Sequence, residues 1–497
     1  MRRNILILSL LFSIATVYTQ EKVLELPESF STSYQSNKES YAVPNQESGE
    51  LMLLLEEKNK FYSYLLNSEY QQQSKITTKT LPSKYRNILG YSVNNNIYSI
   101  FFSNSRNTKF GVQTFDFGTN SSTSTLLDFK IKGEKYVETV NYKNQFYLIT
   151  ITKNSSDLNF YTFNKDYQPQ KRVVSLQQIE YQNPRDKYHT INAHYLLIAD
   201  AGGISSSVIE IGKIEAKNPN IIETTSKLTK LYQFNNQLIF SFDYSKKETK
   251  LCFIDLDNFQ FTYKTFDKPS KEEKGFTGSN SYIYDNKLFQ IASSYQKMKF
   301  LISDLTSGKL IKEYAIQKED SITFKNSPII QEGGVNFFGI ANEDRVREME
   351  KTAKFLRKIS NSNIGISAYK VNDKYNIVLG GTKEIASGGG FAPGFGGGFG
   401  AGMPIASSGA ISIGFNPTFY GYGGYTSTKS TYINCLFDEN FEHLQGDIPK
   451  NIYDKVNEFE DALKKPIAKN IFLHNNNIHF SYYDKNDKLY KLYRFKE

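Results

Sequence analysis

Residues able to do chemistry are thinly spread along this chain. Its 5 histidines contain no His-Glu-x-x-His and no close cluster with Asp or Glu, so no metal-ligand set is implied. The nearest pair is His474 and His479. A two-residue turn at Asn476-Asn477 would set them opposite each other on one face of a hairpin, and a three-residue turn would part them. Two ligands alone do not make a strong metal site, so a structural or surface pair is expected. A serine hydrolase would carry Gly-x-Ser-x-Gly, which Ser407-Ser408-Gly409 does not supply. Glycosidase acids come from distant loops and leave no local motif, and Asp186, Asp200 and Asp344 are the loop carboxylates near the presumed site. No catalytic residue, cofactor or metal site is therefore assigned. Cys252 and Cys435 lie in separate apolar, strand-like runs without a Cys-x-x-Cys spacing, which predicts two buried free thiols.

The elements that must position any site are easier to read. A short apolar stretch, an Asn- or Gly-centred turn and a second apolar stretch recur at Val93–Tyr98, Tyr142–Tyr147, Ile191–Leu196 and Phe234–Ile239. The pattern returns around Asp285-Asn286, Gly333-Gly334, Asn372-Asp373 and Asn475-Asn476-Asn477. Most intervals are about 40–50 residues, the range of propeller blades. Asn and Gly tolerate the positive φ of tight hairpins, so each turn predicts a β-hairpin by a stated mechanism. Two further strand-like runs follow a hairpin, as in Lys250–Leu256 and Gln260–Phe266. Four antiparallel strands per unit, with no βα alternation, predict an all-β fold: a seven- or eight-bladed β-propeller of four-stranded blades. The count is seven if the units at Gly333 and Asn372 belong to one interrupted blade. The last unit supplies three strands, and residues 21–30 or the strands of 51–79 could provide the fourth.

The run Phe300–Leu310, with Asp304 followed by Gly308-Lys309, resembles the Asp-x-x-x-Gly-Lys strand-turn of quinoprotein-like propeller repeats. The resemblance covers one blade and lacks the tryptophan of that repeat. It implies the β-propeller superfamily and does not extend to the quinone cofactor.

Three segments interrupt the repeat. Residues 342–359 read as an amphipathic helix capped by Asn342, with Val346, Met349, Ala353 and Leu356 on one face. Residues 449–465 read as a second, with Asp447 near its start and Ile452, Val456, Phe459 and Leu463 in a stripe. Between them, residues 388–424 form a Gly- and aromatic-rich loop. With strands lettered A to D outward from the channel, the first helix and the loop follow B strands and the second helix follows a D strand. B–C and D–A connections share a face, so both helices and the loop are expected on one rim. Long insertions of this kind are the usual carriers of function. Arg106, Arg185, Asp186, Phe391, Phe395 and Phe399 are the candidate contacts on that rim.

Arg2, Arg3 and the apolar run from Ile5 to Val17 read as a signal peptide over residues 1–19. Residues 20–46 then form an N-terminal segment and 47–497 the propeller. No later stretch is long and apolar enough to span a bilayer. The net charge of +9 comes from lysines interspersed with acids; without a basic stripe carrying interleaved aromatics, nucleic acid is not the expected partner. Tyr 35 and Phe 37 against Trp 0 suit half-buried strands more than a sugar-stacking platform. The expectation is an exported protein, periplasmic, cell-surface or secreted, acting as a binding module for a protein or extracellular polymer. A secreted enzyme acting on a polysaccharide or other polymer, and a structural envelope protein, are the alternatives.

Overall fold

The computed structural model describes residues 20–27, 38–182, 190–198, 211–215, 218–333, 346–384 and 428–496. Strand and helix account for 57 % and 9 % of it, the balance that the repeat predicts. Seven sheets form the blades. Blades 1, 2 and 3 run Lys38–Lys79, Asn87–Leu127 and Glu134–Ser175, and blades 4 and 5 run Thr229–Asp267 and Gly278–Gln317. Each is four antiparallel strands in chain order from the channel outward, and blade 4 adds the strand Gly212–Glu215 on its inner edge.

Blade 6 resolves the count. Its inner three strands are Asn363–Val371, Lys374–Glu384 and Thr428–Phe437, while its outer strand, Ile329–Gly333, comes from earlier in the chain. The turns at Gly333 and Asn372 thus belong to one blade, and the propeller has seven. Blade 7 takes Ile467–His474, Asn477–Asp484 and Leu489–Phe495, and closes with Gln20–Pro27 as its outer strand, Gln20 opposite Phe495. That pairing joins both ends of the described chain and leaves no open edge between them. The propeller therefore begins at Gln20 rather than at 47, since Lys38–Pro44 is the inner strand of blade 1.

The turns behave as their residues require. Asn95, Asn144, Asn235, Asn286, Asn372 and Asn476 all have φ between 50 and 60° or close to it, at 51, 57, 52, 54, 48 and 57°. Two expected hairpins are corrected. Gly333 ends the outer strand of blade 6. Ile191–Leu196 enters a helix instead, because the Asn192 side chain accepts from Tyr195 N at 3.1 Å and so caps it. The helices are α1 (Ala193–Ile198), α2 (Ile222–Thr225), α3 (Pro269–Glu272), α4 (Thr352–Ile359) and α5 (Ile452–Asp461).

Two of these correct the expected insertions. Helix α4 begins ten residues after Asn342, because Arg347–Met349 pairs as an extra edge strand with Ile329–Gln331. Val346, placed on the apolar stripe, is 58 % exposed, and the buried face is Phe355, Leu356 and Ile359. Helix α5 starts at Ile452 and is capped by Asn451 and Asp454 in a reciprocal capping box. Its stripe of Ile452, Val456, Phe459 and Leu463 packs on Ile471, Phe480 and Phe495 of blade 7. It follows the third strand of blade 6, whose fourth place is already taken by Ile329–Gly333. The shared-rim expectation is refined accordingly: α4 sits by the B–C turn of blade 5 through Ser360 and Ser293, while α5 lies along a blade face.

Stacking buries both faces of most blades. Tyr232 and Ile239 of blade 4, Phe289 and Phe300 of blade 5, and Ile377 and Ile433 of blade 6 form one continuous cluster. Each such side chain contributes roughly 1.5–3 kcal/mol on burial. Cys252 and Cys435 are free and buried within blades 4 and 6, and burial pushes both thiols up in pKa.

Candidate functional site

The inner strands converge and bond to one another around the channel. Thr139 Oγ1 of blade 3 donates to Leu89 O of blade 2 at 2.6 Å, and Asn141 Nδ2 donates to Tyr91 O. Ser40 Oγ of blade 1 donates to Ala468 O of blade 7 at 2.7 Å. At the A–B turns, Asn144 links three blades. Its Nδ2 donates to Asn45 Oδ1 at 2.8 Å, its Oδ1 accepts from Gln46 N at 2.9 Å, and its carbonyl accepts from Val93 N at 2.9 Å.

The channel holds the chain's own residues. Gly212–Glu215 runs parallel to the inner strand of blade 4 on its channel side, and residues 218–226 return beside it. Lys213 Nζ donates to Thr139 O of blade 3 at 2.9 Å. Asn220 Nδ2 donates to Tyr282 Oη of blade 5 at 3.0 Å, and Tyr453 of α5 donates to Asn218. Helix α2 meets blade 6 closely at Gly365, where an added Cβ would lie 3.1 Å from Ile222 and force it to give. Asn280 of blade 5 completes the clamp, donating to Ser226 O at 2.9 Å and Ile364 O at 2.7 Å.

Beside this clamp lies a buried charge network. Asp243, fully buried, accepts from Lys230 at 3.1 Å, Lys268 at 3.0 Å, Thr249 Oγ1 at 2.8 Å and Ser281 Oγ at 2.7 Å. Burial alone would raise its pKa, but Lys268 and Lys230 override this and hold the carboxyl well below its usual range. The network joins blades 4 and 5 and carries no group open to a substrate.

Two carboxyls are displaced the other way. Burial pushes Glu215 up to about 7, with Lys213 opposing and Glu138 reinforcing the shift. Glu56, directly opposite Glu39 on blade 1, is pushed up to about 7 by burial and by that neighbour. Among the described residues no group of three His, Cys, Asp or Glu could hold a metal ion.

His474 and His479 share a face, as a two-residue turn requires, but the turn is Asn475-Asn476, one position earlier than expected. Their rings are 5.9 Å apart, and Tyr70 Oη lies 2.7 Å from His479 Nε2. Burial lowers His474 to about 4 and His479 to about 3. They are neutral packing elements between blades 7 and 1.

Two faces of the described residues bear on the site. On the A–B face, Tyr284, Tyr369, Lys370, Ile452, Asn476 and Asn477 line a recess of 780 Å³ between blades 5, 6 and 7. On the opposite face, the described rim includes Arg106, exposed in the B–C turn of blade 2. Arg185, Asp186, Phe391, Phe395 and Phe399 lie outside the described residues, as does the predicted signal peptide. Sequence reasoning missed the cations of α4 and its surroundings. Lys358 is held below the usual lysine range by burial and then by Lys429, Arg347, Arg357 and Lys354 around it. Their basic character was legible, but their convergence depends on strand pairing within blade 6.

No family model matches the chain, and no curated protein matches it in sequence. Among solved structures it is similar to a mutant of the Synechocystis apocarotenoid oxygenase, at 5 % identity and a TM-score of 0.28, over 58 % of this chain and 63 % of that one. It is also similar to the dihydro-heme d1 dehydrogenase NirN in complex with DHE, at 8 % identity and a TM-score of 0.26, over 59 % and 50 % of the two chains. The chain thus spans less than two thirds of either protein. The propeller assignment rests on the seven sheets themselves.

Proposed function

We propose that this chain is an exported binding module that engages a protein or extracellular polymer through the face carrying its B–C and D–A connections. The observation behind this reading is the filled channel. Where a propeller could gather a substrate between its inner strands, residues 212–215 and 218–226 are bonded to blades 3, 5 and 6. The chain leaves described strands on the B–C and D–A face at Ser175, Gly333 and Glu384, and that face is the surface we propose for a partner.

The test replaces residues 388–424 with a short Gly-Ser linker and measures retention on a panel of immobilised polysaccharides and envelope proteins. Retention by the native chain and its loss from the variant, at unchanged melting temperature, support the reading. Native protein that is retained by nothing in the panel, or retention unaffected by the replacement, overturns it. Mass spectrometry of the mature protein checks export, with an N-terminus near Gln20 expected and full-length cytoplasmic protein refuting it.

One observation favours a second reading, a secreted enzyme acting on a polymer. Glu215, raised to about 7 beside Glu138, has the protonation of a general acid at neutral pH. Release of reducing ends from a retained polysaccharide, abolished by Glu215→Gln, would establish that reading instead.

A further inference from the structure

We propose that the B–C/D–A rim of blade 6 is a binding site for an acidic polysaccharide, held by the cations around α4 and by the exposed ring of Tyr295. This rests on the rim-binding reading and names the chemistry of its partner.

The site is assembled from three elements. Helix α4 presents Lys354, Arg357 and Lys358, spaced i, i+3 and i+4 and therefore on one side. Phe355, Leu356 and Ile359 hold its other side in the core. The edge strand Arg347–Met349 contributes Arg347. The second and third strands of blade 6 contribute Lys383 and Lys429, which are direct cross-strand partners. Like charges placed opposite each other in a sheet are destabilising. Some other surface lysines have acidic partners: Lys299 reaches Glu273 at 2.9 Å and Glu313 at 3.0 Å, and Lys370 reaches Glu439 at 3.1 Å. Among the described residues, none of the six rim cations is in an ion pair.

The acids nearby do not neutralise them. Glu332 accepts from Tyr432 Oη at 2.6 Å, and Glu350 lies 3.7 Å from Lys325. Glu348 follows Arg347 in a strand and so faces the other way. A favourable interaction with the helix dipole accounts for Arg357 and Lys358 in the last turn of α4. It does not account for Arg347, Lys383 or Lys429. Four cations, Lys429, Arg347, Arg357 and Lys354, crowd the half-buried Lys358, a stored repulsion that a polyanion relieves.

Tyr295 decides among anions. It projects from the B–C turn of blade 5, is 45 % exposed, and donates to Asn361, just beyond α4. That bond holds the ring against Asn361, whose amide donates to Arg357 O at 3.1 Å, so an apolar ring flanks the end of α4, an arrangement suited to the face of a sugar bearing carboxylate or sulfate groups. An acidic peptide uses the charges alone. A membrane surface requires an apolar helix face, and the apolar face of α4 is already committed to the core.

The experiment titrates the full chain with polygalacturonate, neutral dextran and single-stranded oligothymidylate at low and high salt. Polygalacturonate is expected to bind, more weakly as salt screens the charges, with dextran inert. Arg347→Ala/Lys358→Ala/Lys429→Ala should weaken it on the order of a hundredfold, from roughly a factor of five per cation. Tyr295→Ala should weaken it roughly fivefold. Lys358→Arg/Lys429→Arg, which preserves charge, should stay within about twofold and shows that a loss is not misfolding. Equal binding by the triple variant, or tighter binding of oligothymidylate than of polygalacturonate by the native chain, overturns this proposal. Binding of neutral dextran through the rim overturns it too, yet leaves the rim-binding reading intact; binding of no polymer or protein at all defeats both.

Discussion

Replacing Asp243 with Asn should destabilise the propeller more than any single surface change. The carboxylate receives four donors, two of them ammonium groups on side chains 0 % and 1 % exposed. Asparagine keeps the shape but loses the charge, and its amide nitrogen cannot accept from whichever donors face it. Two buried lysines are then left without their counter-ion, and breaking a buried pair in this way costs about 3–5 kcal/mol. Unfolding entropy near 2.1 cal/mol/K per residue gives a chain of this length about 1 kcal/mol/K, so the melting temperature should fall by roughly 3–5 °C. The pH dependence has a definite sign. Asp243 is depressed in the folded state, so its contribution is present above the unfolded carboxylate pKa and lost as pH falls through the folded value. The variant should therefore lack part of the acid limb seen in the native chain. Scanning calorimetry from pH 3 to 8 reads both effects. The triple change Lys230→Met/Asp243→Leu/Lys268→Met, which removes every charge together, should cost much less. A melting temperature unchanged in Asp243→Asn, or a triple variant as unstable as the single one, would refute the reasoning.

Glu56→Gln should gain stability relative to the native chain as pH rises from 5 to 8: a carboxyl raised to about 7 stabilises below its unfolded pKa, and this is lost as pH climbs through the folded value. Urea titration at both pH values checks it, and a gain confined to pH 5 would contradict the shift. His474 and His479, lowered by burial, act oppositely, their contribution declining as pH falls below the usual histidine range, so replacing both with Phe should flatten stability between pH 7 and 4. Cys252 and Cys435 should resist thiol reagents until the chain unfolds, and rapid native labelling would show that their strands open. Removing Gln20–Pro27 exposes the outer edge of blade 7 and deletes the ion pair of Arg494 with Glu21 at 2.7 Å. Lower melting temperature and aggregation should follow, and an unchanged melting curve would mean that the ring does not depend on this strand.

Six of the eight sequence turns are A–B hairpins, and they were legible because positive φ at Asn is a local demand met within two residues. The two failures are equally physical. At Ile191 the same residue type capped a helix, since an Asn side chain serves either role and only the tertiary setting chooses. At Gly333 a positive φ of 73° ends an outer strand instead of joining two inner ones. The A–B connection of blade 1 went unread because Asn45–Gly49 is a wider turn, held by Gly49 N donating to Asn45 O at 3.0 Å. Blade 6 could not be read in order, because its outer strand precedes its inner three and the pairing of Ile330 with Tyr432 spans a hundred positions.

The channel segment shows why the functional surface was harder to foresee than the fold. Nothing in Gly212–Glu215 distinguishes it from an ordinary short strand, and its neighbours read as loop. Its placement depends on partners that its own sequence does not encode: the Thr139 carbonyl, the Tyr282 hydroxyl, the missing side chain of Gly365 and the amide of Asn280. Each belongs to a different blade or to a different strand position, and they meet only after the ring has formed. The same holds for the cations of blade 6, where Lys383 and Lys429 become neighbours solely through strand pairing across the intervening tract. Filling the channel and leaving those charges unmatched act in one direction. Under the rim-binding proposal, they move the surface available to a partner from the axis to the rim, and they give that rim a charge for the partner to complement.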